Sequence, residues 1–276
     1  MAATAATAPA DRARSLRRRV ISAVVLIPLV LAAVYAGSRY FDGVVALFAI
    51  VMAWEWVRVC HGGRFAATGL VTMAAVFAAI LCQLLISFPA ALLALALGAL
   101  LSALAGGSAR GPWHGLGVLY VGLPSLAVLW IRSDPGSGVA TLLWMLVLVW
   151  SVDTGAFFVG RAIGGPRLAP SISPSKTWAG LGGGMLAAAL VGAVGAQVLG
   201  LGTWWPLMTI AAALALVEQG GDLVESAFKR RFGVKDSSNL IPGHGGVLDR
   251  VDGLIAVAVA VAGLMIITKG GVATWQ

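Results

Sequence analysis

Apolar residues come in long unbroken runs along this chain, separated by short polar stretches that hold nearly all the charge. The runs fall at residues 20–36, 43–60, 66–86, 90–105, 116–131, 139–158, 178–199, 203–220 and 253–269, roughly 16 to 22 residues each. A helix needs about 20 apolar residues to cross the ~30 Å hydrocarbon layer. Inside that layer every backbone N–H and C=O must be paired, so only helices or closed barrels span it. Barrel strands would read as ten-residue alternations, and these runs do not alternate. The pattern predicts an all-α, polytopic integral membrane bundle of about nine transmembrane helices.

Composition agrees with the pattern. Mean hydropathy is +0.94, and the 276 residues are 59% hydrophobic and only 11% charged. Residues 1–19 form a basic tail that leads straight into the first apolar run, like a signal peptide. With eight more runs following, an uncleaved first span is the expectation. Nine spans with a cytoplasmic N-terminus leave only Arg39, Arg132 and Lys269 on the outer side, 3 of 19 Lys and Arg residues. That asymmetry is the positive-inside signature of a cell (inner) membrane protein. It also accounts for the net charge of +8 without nucleic acid as a partner. Cys60 and Cys82 lie in or beside apolar runs without C-x-x-C spacing and read as packing residues.

Three segments are expected: the tail 1–19, N-terminal transmembrane helices over 20–131, and a C-terminal transmembrane region over 132–276. The last carries cytoplasmic loops at 159–177 and 221–252, and the chemistry gathers there. Acids within or beside spans are costly and mark function by default. On a helix continuing past residue 220, Glu218, Asp222, Glu225 and Lys229 share one face. The Gly220-Gly221 pair is expected to bend that helix. Asp249 and Asp252 stand three apart at the start of the last span, where they project to one side. Opposite Asp222 they make an oxygen-rich place for Mg²⁺, which takes one or two carboxylates plus substrate phosphate.

Between these acids lies IPGHGG, whose Gly245 and Gly246 permit close approach of backbone N–H groups to an anion. His244 would hydrogen-bond a phosphate. Lys229, Arg230, Lys235 and Arg250 surround the loop with positive charge. Asp153 sits near the cytoplasmic end of the sixth span. Ser173, Lys176 and Thr177 precede the seventh, where a helix N-terminus with a lysine favours phosphate. Ordinary capping hydroxyls are the alternative for these serines. Glu55 is a further near-membrane acid, balanced between function and a structural salt bridge to a nearby arginine.

Through these residues the chain resembles the phosphatidate cytidylyltransferases, or CDP-diacylglycerol synthases. Ser226, Lys229-Arg230, Lys235-Asp236, Ser238, Pro242, His244-Gly245-Gly246, Asp249-Arg250 and Asp252 follow that family's C-terminal signature without departure over 27 positions. DTGAFFVGR and SPSKTWAG are similar to it as well. The resemblance implies the reaction of CTP with phosphatidate to CDP-diacylglycerol and diphosphate, at the cytoplasmic membrane face. It implies Asp222, Lys229, Arg230, His244, Asp249 and Asp252 as catalytic residues. Ser173, Lys176, Thr177, Lys235, Gly245, Gly246 and Arg250 would bind substrate. Asp222, Asp249, Asp252 and Asp153 would bind Mg²⁺, with a second cation such as K⁺ beside it.

Two other classes fit the chain less well. A cation-coupled membrane transporter would carry acids at the bilayer midplane and an internal repeat, and this chain has neither. A CDP-alcohol phosphotransferase would continue from Asp249-Arg250-Val251-Asp252-Gly253 into two further Asp residues, and none remain downstream. Finally, Gly180, Gly184, Ala188, Gly192, Ala196 and Gly200 repeat every four residues. Such a stripe lets helices approach closely; packing within the chain is the expectation, with a homodimer face as the alternative.

Overall fold

The computed structural model describes residues 28–241 and 245–275. The basic tail and residues 20–27 of the first predicted span lie outside the described residues, as do Pro242, Gly243 and His244. The described chain opens in helix at 28–35. Eight named helices follow among the described residues: α1 Ser38–Cys60, α2 Gly69–Leu85, α3 Phe88–Ala105, α4 Gly107–Ser133, α5 Gly138–Ile163, α6 Trp178–Val198, α7 Trp205–Arg231 and α8 Leu248–Thr268. Seven of them are long and apolar enough to cross a membrane, and α2 is a shorter apolar helix of 17 residues. Large apolar side chains stay exposed along α3 (Leu93, Leu97, Leu100) and α6 (Leu186, Leu190, Val194). In water such faces would be a liability; in lipid they are the ordinary outer surface. The protein is a multi-pass helical membrane protein.

Local signals set several ends. Ser87 caps α3 by accepting the Ala90 N–H at 3.3 Å. Thr177 caps α6 by accepting the Gly180 N–H at 3.0 Å, satisfying one of the orphan donors of a first turn. At the end of α7, Gly233 takes φ +70° and the Val234 N–H returns to the Lys229 carbonyl at 3.0 Å, a glycine-closed C-terminus.

One departure from the all-helical expectation lies between α5 and α6. Arg167–Ala169 (β1) and Ser173–Thr177 (β2) pair as an antiparallel hairpin. Ser173 is therefore a strand residue and no helix cap; only Thr177 caps. α7 runs unbroken through the Gly220-Gly221 pair to Arg231.

The small-residue stripe is taken up inside the chain. Cβ atoms added at Gly180 and Gly184 would meet the Ala156 and Val152 carbonyl oxygens of α5, at 3.0 and 3.2 Å. One at Gly192 would strike Leu207 and Met208 of α7. Close backbone packing of this kind holds helices together where no hydrophobic drive exists between them. It fixes α5, α6 and α7 against one another, and so places their polar ends together.

Candidate active site

Five ends meet at one side of the bundle: the C-termini of α1, α5 and α7, the N-terminus of α8, and the β1–β2 hairpin. Of the segment 221–252, residues to Arg231 continue α7 and residues from Leu248 begin α8. Asp222 is half-buried, with one oxygen accepting from the Ser226 hydroxyl at 3.2 Å and the other paired to the Lys176 ammonium of β2 at 2.5 Å. The hairpin thus sets a cation against the acid face of α7.

Helices α7 and α8 approach through two glycines. A Cβ at Gly221 would lie 2.6 Å from the Ala256 Cβ and 3.0 Å from the Asp252 carbonyl; one at Gly253 would press on the Glu218 carboxylate. The close crossing brings acids from two helices together. Glu225 and Asp252 are close enough to influence each other's charge, as are Asp153 of α5 and Glu218 of α7. Glu218 and Glu225 are both buried. Carboxylates this close repel unless a proton or a cation sits between them.

Asp249 has a different setting. Its Oδ1 accepts from the Lys229 ammonium at 2.7 Å. Its Oδ2 accepts from the Ser237 N–H and hydroxyl, both at 2.9 Å, and from the Gly246 N–H at 2.7 Å. Lys229 also lies 3.2 Å from Glu225. Both Asp249 oxygens are filled by protein donors, which makes this residue the anchor of the loop after α7. Gly245 takes φ +82°, and a Cβ there would meet Asp249 Oδ2 at 2.6 Å, so the loop closes only with glycine at this position.

The other expected residues spread around this centre. Arg230, Lys235 and Arg250 are exposed at the rim, and Arg230 donates to the Val234 carbonyl at 3.2 Å. Ser173 is half-buried in β2, and Thr177 is buried with its hydroxyl on the α6 N-terminus. The Gly246 N–H is directed at Asp249, so it is already paired. His244 lies outside the described residues.

Sequence reasoning missed Ser237, for which a lone loop serine gives no signal. It left Glu55 undecided. Glu55 is fully buried and pairs with no arginine among the described residues; it accepts from the Ser238 hydroxyl at 2.6 Å and from the N–H groups of Val247 and Leu248 at 2.9 and 2.7 Å.

Among the described residues no three His, Cys, Asp or Glu side chains converge as a ready metal cage. The donor set is nonetheless suited to a hard cation. Mg²⁺ keeps several waters and needs only one or two carboxylates with substrate phosphate; Asp222 and Asp252, close enough to influence each other's charge, are the carboxylates that could serve.

The profile described as "Cytidylyltransferase family" matches residues 17–268. The phosphatidate cytidylyltransferase of Pseudomonas aeruginosa is 36% identical over 266 residues, covering 91% of this chain and 97% of that protein. Phosphatidate cytidylyltransferases of Brucella suis and Haemophilus influenzae are 48% identical over 151 residues and 44% over 128. The chain spans 56% of the length of the Brucella protein and 44% of the Haemophilus one in these matches.

Proposed function

The chain belongs to the cytidylyltransferase family, and from that membership we propose that it is a phosphatidate cytidylyltransferase. It would join CTP and phosphatidate into CDP-diacylglycerol and diphosphate, in phospholipid biosynthesis. One arrangement carries the reading: acids of α5, α7 and α8 gather at one end of a membrane bundle, with Lys176 paired to Asp222 among them. A lipid phosphate held at the membrane surface and a nucleotide from the cytosol need such a place. We assign this end to the cytoplasmic side of the inner membrane on the Lys and Arg asymmetry, with nine spans and a cytoplasmic N-terminus. The divisions at 20–131 and 132–276 then separate a supporting bundle from the catalytic region.

In the reaction a phosphate oxygen of phosphatidate attacks the α-phosphorus of CTP. The bond from that phosphorus to the bridging oxygen breaks, and diphosphate leaves with the electron pair. The attacking phosphomonoester has a second pKa of about 6, so it is largely ionised at neutral pH and needs no strong base. The difficulty is to bring anions together in line and to neutralise the leaving group. Lys176 and the rim cations Arg230, Lys235 and Arg250 would bind phosphates. Asp222 and Asp252, with Asp153 beside them, would hold Mg²⁺, and a second cation such as K⁺ would relieve the buried acids. Mg²⁺, when bound, supplies positive charge at the leaving diphosphate. Asp249, expected from the sequence as a metal ligand, would in this reading hold Lys229 and the loop, since two backbone N–H groups, a hydroxyl and an ammonium converge on it, whereas Asp222 accepts only from Ser226 and from the Lys176 that would turn to phosphate.

The test is transfer of radiolabel from CTP into a lipid-extractable product by purified protein in detergent, with phosphatidate, with and without Mg²⁺. Metal-dependent CDP-lipid that disappears in Asp222→Asn is the expected result. Label that stays water-soluble with folded protein would remove the reading.

A further inference from the structure

Two adjacent residues of α1 touch α7 and α8, two of the helices that carry the acids. Glu55 accepts the first N–H groups of α8, from Val247 and Leu248, and the hydroxyl of Ser238 in the loop before it. Trp56 stacks on Phe228 of α7, with ring centroids 3.8 Å apart and planes 11° from parallel. Its indole N–H is fixed by the Trp113 carbonyl of α4 at 2.7 Å. Glu55 and Trp56 are both buried. A Cβ at Gly246 would run into the Ser237 hydroxyl and the Glu55 carboxylate, so the loop lies directly on this acid.

We infer that Glu55 is a positioning residue: through the N-terminus of α8 it sets Asp252 opposite Asp222, and with Trp56 it makes the N-terminal bundle part of the active-site geometry. The inference rests on the reading above. A carboxylate suits this place because it accepts at both oxygens. Oε1 takes Ser238 and Val247, and Oε2 takes Leu248. In Glu55→Gln one oxygen becomes an NH₂ group, which would face an N–H donor and open the first turn of α8. Negative charge at a helix N-terminus is also favourable by itself. Glu55 would touch no substrate, so its loss should act on the acids' spacing and leave nucleotide contacts alone.

Three readouts decide this on purified protein in detergent micelles. Deuterium uptake at Val247 and Leu248 should rise in Glu55→Gln while α2 and α3 stay protected. The Mg²⁺ concentration for half-maximal CDP-lipid formation should rise by about tenfold, the scale of one lost charge-assisted hydrogen bond. The KM for CTP should stay within about twofold, as expected when the lost interaction bears on chemistry and not on ground-state binding. A merely less folded sample would lower the rate without moving the Mg²⁺ midpoint. Unchanged uptake, or an unchanged midpoint with wild-type rate, overturns the inference. Should Glu55→Gln fail to fold, Ser238→Ala removes one donor only; a smaller shift of midpoint in the same direction supports the inference, and none overturns it. A wild-type protein that makes no CDP-lipid would sink the proposed reaction, while the deuterium measurement would still decide whether Glu55 holds α8.

Discussion

Lys176 of the β1–β2 hairpin and Asp222 of α7 form an ion pair at 2.5 Å, with side chains 15% and 24% exposed. The strand is thereby tied to the acid face of a membrane helix. The side chains keep only a minority of their surface in solvent and the Lys176 nitrogen is shielded, so the pair lies between a surface and a buried bridge, with a net worth to folding on the order of 1–2 kcal/mol. Its value to a phosphate-binding site is larger. Lys176→Met is expected to lower the unfolding temperature only slightly and to lower CDP-lipid formation by about a hundredfold, the scale of one lost transition-state contact. Thermal unfolding beside the radiolabel assay checks both halves; wild-type activity would take Lys176 out of the site.

Lys229 should behave in the opposite way. It is buried between Glu225 and Asp249. Removing one partner from a buried pair leaves an uncompensated charge, typically a loss of about 3–5 kcal/mol. Lys229→Met is therefore expected to unfold at markedly lower temperature. Arg230→Ala, on an exposed side chain, should stay within about 0.5 kcal/mol. Equal unfolding temperatures for the two variants would contradict the buried bridge.

The neighbours Gly220 and Gly221 offer a sharper contrast. A Cβ at Gly220 meets nothing within 4 Å, whereas one at Gly221 strikes Ala256 of α8. Gly220→Ala should be neutral or stabilise by roughly 0.5–1 kcal/mol, the cost of glycine within a helix. Gly221→Ala should cost roughly 1–3 kcal/mol by overpacking. It should also lower turnover beyond what that loss of folded protein explains, because it moves α8 and Asp252 away from α7. Chemical denaturation and specific activity of the two variants together test the α7–α8 crossing.

Metal removal gives a fourth outcome. Chelation with EDTA should abolish CDP-lipid formation, and added Mg²⁺ should restore it. Asp252→Asn should need more Mg²⁺ than wild type, since a ligand oxygen with charge is replaced by a neutral one. Calorimetric titration with Mg²⁺ and CTP measures this apart from turnover. Activity that survives exhaustive chelation would refute the metal assignment.

Much of this protein was legible from the chain alone, because the signal is local. Hydrocarbon demands continuous apolar helix, so the runs at 43–60, 139–158 and 178–199 reappear as α1, α5 and α6. The spacing of Glu218, Asp222, Glu225 and Lys229 already put them on one helix face, and the charged stretch after residue 229 marked the chemical end. Partnership was not legible. The spacing of Asp249 said nothing of the donors the fold places on it, Lys229, Ser237 and Gly246. Glu55 and Leu248 meet across 193 positions, and nothing in either neighbourhood announces the other. Hydropathy and helical period are properties of a few consecutive residues. Which oxygen accepts which proton depends on how whole helices cross, and that was decided only when glycines at 221, 246 and 253 let the backbones close.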